Sequence, residues 1–148
     1  MRKKKNIKTN KKVFPKWGWI AIGIIVLAIV GLIVAPIIFN TSTLLPTEVS
    51  VAQAAKLRDQ GAFILDVREQ SEWDHFHIPG ATLIPLGELP NRLNEVPKDK
   101  TVVVVCRTGH RSAQGRDILL NAGFTQVTSM TGGVTEWQAQ GLETVTGP

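Results

Sequence analysis

The chain predicts an α/β fold: a parallel sheet flanked by helices, preceded by one transmembrane helix. Three observations carry this. From residue 47 onward, short aliphatic and β-branched runs alternate with segments of helical spacing, the pattern of strands joined by helical crossovers. One of those runs, Val102 to Val105, leads straight into the only cysteine and a glycine-containing loop. Upstream, Trp17 to Phe39 holds 23 residues without a charge.

Residues 1–16 form a basic arm with eight Lys or Arg and no acid. The uncharged stretch 17–39 would be roughly 34 Å long as a helix, enough for a hydrocarbon core of about 30 Å. Trp17 and Trp19 stand at its edge, where aromatic rings anchor in the interface. A buried soluble helix rarely stays apolar on every face for this length. A cleaved signal peptide would have a shorter apolar region with a small-residue site just beyond it. The nearest such site, Ala52-Gln53-Ala54, lies well downstream, so a retained anchor is the expectation. Eight basic residues precede the span and none follows until Lys56. The N-terminus is therefore expected in the cytoplasm and the C-terminal domain outside it, as a single-pass cell-membrane protein.

Residues 40–46 read as a linker and 47–148 as one domain, long enough for a single modest core. The formal charge of +5 belongs to the arm: beyond it, the remaining nine of the 17 basic residues face all 12 acidic ones, a net of −3. A nucleic-acid-binding domain would carry its basic footprint on the fold itself, so no nucleic-acid partner is expected.

Within the domain, Ser50 is placed to cap a helix that ends at Gly61, with Val51, Ala54, Ala55 and Leu57 on its apolar face. Ala62 to Val67 reads as a strand, Ile78 to Ala81 as a Pro-Gly turn, and Thr82 to Ile84 as a short strand. Leu86 to Val96 is predicted helical, loosened by Pro90. Thr101 to Val105 is the central strand. Ser112 is the expected N-cap of a helix running to Ala122 and stopped by Gly123. Gln126 to Met130 is a further strand, and a last helix holding Trp137 follows Gly132-Gly133. In such sheets ligands bind beyond the carboxyl ends of strands, and Cys106 stands at that position.

Strand, tight loop and helix together aim backbone N–H groups and the positive end of a helix at one spot. A helix N-terminus favours an anion there by about 0.3–1 kcal/mol, and Arg107 and Arg111 add positive charge suited to an anionic substrate. Gly109 lets the backbone turn so that amides line the cradle. A lone cysteine is often a buried core residue, but a polar, basic loop is a poor continuation for a core strand. A single cysteine forms no internal disulfide, which leaves a reactive thiol as the sharper reading.

Several motifs then fall in one order: Leu65-Asp-Val-Arg-Glu69, Glu72-Trp73, His77-Ile-Pro-Gly-Ala81, Cys106-Arg-Thr-Gly-His-Arg111 with Ser112, Ala122-Gly-Phe124, and Gly132-Gly133 with Trp137. In these the segment from Thr47 to Val145 resembles the rhodanese-like domain, a sulfurtransferase family. Phe76 departs from the glycine usual before the histidine of the turn. The resemblance implies a small parallel sheet with the active loop between strand and helix. It implies that Cys106 attacks a sulfane-sulfur donor such as thiosulfate, becomes a persulfide and passes the sulfur to a thiol or cyanide acceptor. Arg107, Thr108, Gly109, His110 and Arg111 would bind the substrate, while Asp66, Arg68 and Ser112 would support the site. Neither cofactor nor metal is implied, and His75 and His77 lack the companions of a metal site.

Two other readings compete. Phosphatases and arsenate reductases related to this fold place five residues between Cys and Arg, whereas four separate Cys106 from Arg111 here. A non-enzymatic carrier or sensor of sulfane sulfur would keep the same cysteine but need not turn over. His77 and Trp137 read as structural and His110 as a rim residue; His75 has no evident role.

Overall fold

The computed structural model describes residues 45–147. The predicted basic arm, the transmembrane helix and most of the linker lie outside the described residues. Among the described residues, no helix is long and apolar enough to cross a membrane.

Five strands, β1 (Glu48–Val49), β2 (Phe63–Asp66), β3 (Thr82–Leu83), β4 (Val102–Val105) and β5 (Val127–Met130), form one sheet in the order β1-β5-β4-β2-β3. Every pairing is parallel, with Leu65 opposite Val104 and Val103 opposite Thr128 at the centre. The helices are α1 (Val51–Asp59), α2 (Gln70–His75), α3 (His110–Asn121) and α4 (Gly133–Ala139).

Helices cover both faces of the sheet, so its central strands are buried on both sides, and this is why β4 is an unbroken run of valines rather than an alternating one. Val102, Val104 and Cys106 face one core with Leu65, Val67, Leu89, Leu119 and Phe124. Val103 and Val105 face the other, with Ile64, Val51, Ala54, Met130, Val134 and Trp137. Each valine of β4 is fully buried, worth about 1.5–3 kcal/mol apiece. The strand that delivers Cys106 is thus the most firmly embedded part of the sheet.

The start of α1 matches its sequence signal. Ser50 and Gln53 form a reciprocal capping box, and the backbone N–H of Ser50 donates to Gln53 Oε1 at 2.9 Å. Two expectations need correction. Leu86 to Val96 is not a helix: it breaks into two 3₁₀ turns, Leu89–Asn91 and Leu93–Glu95, because Pro90 removes a donor and admits only a first turn. The helix after the cysteine begins at His110, earlier than expected, with Gly109 rather than Ser112 as its cap. Two elements had no sequence assignment, the edge strand β1 and the six-residue helix α2.

The C-terminal segment closes on α2. The N–H of His77 donates to Val145 O at 2.8 Å, that of Val145 to His77 O at 3.0 Å, and that of Gly147 to Asp74 O at 3.2 Å. Beside this strap His77 is buried and stacks on Trp73 at 3.6 Å between ring centroids.

Candidate active site

Cys106 ends the embedded run of β4 and is itself 1% exposed. The chain then leaves the core: Arg107 and Thr108 are exposed. Gly109 takes φ +112°, a left-handed conformation that a side chain disfavours. That turn aims its N–H back at the cysteine, and the N–H donates to Sγ at 3.1 Å. A backbone donor at the start of a twelve-residue helix thus points at the sulfur.

Ser112 belongs to the first turn of α3 and is fully buried. Its hydroxyl donates to Gly109 O at 2.7 Å, with Met130 O a further neighbour at 3.4 Å. It ties the turn to β5 instead of capping the helix.

The loop rests against α4. Val134 N–H donates to Cys106 O at 2.8 Å and Thr135 N–H to Arg107 O at 3.2 Å. These are first-turn donors that would otherwise lack partners, and they fix the orientation of the two loop carbonyls. Gly133, at φ +62°, approaches the loop so closely that a Cβ there would overlap the carbonyls of Cys106 and Arg107.

Two ion pairs flank this turn. Asp66 and Arg68 are both buried. The Nε–H of Arg68 reaches the two carboxylate oxygens at 3.0 and 2.9 Å, and Nη2 lies 2.7 Å from Oδ2. The same guanidinium donates to Glu72 O at 3.3 Å and Phe76 O at 2.8 Å. A buried cation thereby pins the backbone of α2. The second pair is Arg111 with Glu72, a bidentate fork with both contacts at 2.7 Å. Its carboxylate also accepts from Glu69 N–H at 3.3 Å. The hydrogen bond from Arg111 is the main cause that holds the Glu72 carboxyl below its ordinary range, and Glu72 in turn raises Arg111.

A cavity of about 520 Å³ opens beside the loop, lined by residues that include Arg107, Arg68, Glu72, His75, Thr135 and Gln138. His75, without a role in the sequence, is on its wall, while His110 is exposed. Sequence reasoning quoted Glu72 within a motif but gave it no task. Its partner lies 39 residues away, and no local spacing reveals such a pairing. Among the described residues no cluster of His, Cys, Asp and Glu could hold a metal.

A cysteine at the end of a central parallel strand, an amide aimed at its sulfur and a helix starting at the turn form one arrangement. Residues 50–140 match the family model described as Rhodanese-like domain. The chain belongs to the rhodanese-like family. Its relatives in this family include a protein named Sulfurtransferase from Allochromatium vinosum, 35% identical over 58% of this chain and 80% of that one. The thiosulfate sulfurtransferase GlpE of Pseudomonas syringae is also 35% identical, over 58% and 81%. A Bacillus subtilis protein whose name marks it as a sulfur-carrier candidate, YrkF, is 37% identical over 53% of this chain, which spans only 43% of that longer relative. Among solved structures, a rhodanese-related protein from Thermoplasma volcanium superposes with a TM-score of 0.63 at 27% identity, covering 68% of this chain and 98% of the other. Together the rhodanese-like relatives support a role in sulfur transfer in general.

Proposed function

We propose that the domain is a thiosulfate-type sulfurtransferase. The Cys106 thiolate attacks the sulfane sulfur of thiosulfate or a similar anionic donor. The S–S bond of the donor breaks, the rest of the donor leaves with the electron pair (sulfite, when the donor is thiosulfate), and Cys106 is left as a persulfide. A thiophilic acceptor then takes the outer sulfur and returns the thiolate; with cyanide the product is thiocyanate. The hydrogen bond from Gly109 N–H to Cys106 Sγ carries the reading, because the same donor can hold negative charge on the attacking sulfur. The cavity beside Arg107 and Thr135 falls in the size range of small-molecule sites and offers an approach for the acceptor.

The test is thiocyanate formation from thiosulfate and cyanide by the purified full-length chain in mild detergent, with Cys106→Ser beside it. Turnover that disappears in the variant supports the proposal. A folded, reduced chain that forms a Cys106 persulfide without turnover would instead favour a sulfur carrier, the reading that the likeness to YrkF supports.

We further propose that residues 17–39 anchor the chain in the cell membrane with the domain outside the cytoplasm, on the charge asymmetry around the span. Protease added to intact cells should then remove the domain. Digestion only after lysis would reverse the orientation.

A further inference from the structure

Glu72 is fixed from several sides. Two N–H groups of Arg111 and the backbone N–H of Glu69 bind its carboxylate. Its backbone carbonyl accepts from Arg68, itself locked to Asp66 in the core. Glu72 therefore presents a held negative charge to the cation of the loop. A guanidinium offers five donors in a planar fork suited to one oxyanion, and here a carboxylate already sits in that fork. The local charges then nearly cancel: Asp66 offsets Arg68 and Glu72 offsets Arg111, with Arg107 left as the exposed cation on the loop. The turn that looked strongly basic in sequence is close to neutral in charge.

We propose that Glu72 is the specificity-determining residue of the donor site, an internal anion that a donor's oxyanion must displace from the fork of Arg111. It discriminates by charge. A dianionic donor meets repulsion from a carboxylate that a monoanionic donor feels less. The inference rests on the reading of the Cys106 loop as the donor site.

The experiment compares thiosulfate, a dianion, with methanethiosulfonate, a monoanion carrying the same kind of sulfane sulfur. Cyanide is the acceptor, and the full-length chain is assayed in mild detergent as wild type, Glu72→Gln and Glu72→Asp. Glu72→Gln should lower KM for thiosulfate about threefold or more, the scale of one partly exposed charge, and lower it less for methanethiosulfonate. The difference between the donors should shrink as salt is raised, which loss of a purely structural contact would not produce. Glu72→Asp keeps the charge but draws it back by one methylene, and its KM should fall between the two. An unchanged or raised KM for thiosulfate in Glu72→Gln, or equal shifts for both donors, overturns the proposal. If neither donor turns over in the wild type, the proposed function fails. Protection of Cys106 from iodoacetamide by sulfate then still reads the fork. Half-protection should need less sulfate in Glu72→Gln, and an unchanged requirement overturns the role of Glu72.

Discussion

The backbone N–H of Gly109 donates to the Sγ of Cys106 at 3.1 Å, across a turn that only a left-handed residue closes. A methyl group at position 109 would meet its nearest neighbours at 3.5–3.6 Å, so space is available and the conformation is the obstacle. The bond and the backbone angle are therefore one property.

Gly109→Ala should relax that angle and carry the N–H away from the sulfur. A hydrogen bond to a charged group is worth about 1.5–3 kcal/mol. Alkylation of Cys106 by iodoacetamide at neutral pH should slow about tenfold, with about 1–2 kcal/mol lost in urea unfolding. An unchanged alkylation rate would remove the amide from the mechanism.

Gly133→Ala acts by overlap instead. Its new carbon would meet backbone carbonyls of Cys106 and Arg107, which cannot swing aside as a side chain does. The loop or α4 has to shift, at about 1–3 kcal/mol. Sulfur transfer should drop tenfold or more, and retained turnover would show that the loop tolerates displacement.

Asp66→Asn should cost about 3–5 kcal/mol, because it leaves the buried Arg68 without its counter-charge. Arg68→Met should be costly as well, and the double variant should lose less than the sum of the two. Urea titration of the four proteins measures this; strict additivity would mean that the two side chains act independently.

Acid should weaken the fork between Glu72 and Arg111. The folded carboxyl titrates below its ordinary value near 4.5, chiefly through the hydrogen bond from Arg111. Its contribution is therefore present above the unfolded value and lost as pH falls through the folded one. Partial exposure limits it to about 1 kcal/mol or less. The melting-temperature gap between wild type and Glu72→Gln should be flat from about pH 5.5 to 8 and close in more acid solution. A gap that persists at pH 2 would assign it to packing.

Much of this was legible in the chain. Four consecutive valines announced a buried strand, and Ser50 marked the start of α1. The cysteine, its loop and the double glycine were visible by type and order. What escaped reading was tertiary. The six residues of α2 are too few for a periodic signal, and Arg68 holds that helix through carbonyls of Glu72 and Phe76. Ser112 has the chemistry of a cap, yet the angle at Gly109 sets the helix start. Arg111 looked like a free cation because its partner comes from a different part of the chain.

The strap formed by Val145 and Gly147 against His77 and Asp74 makes the two ends of the domain unequal as points of attachment. A tag or partner joined behind Gly147 pulls on the same short helix that offers Glu72, and so is mechanically wired to the loop's counter-charge. One joined before Thr47 pulls on β1, at the far edge of the sheet from β3, and through the Thr47 carbonyl on Ser129 of β5 and Arg116 of α3.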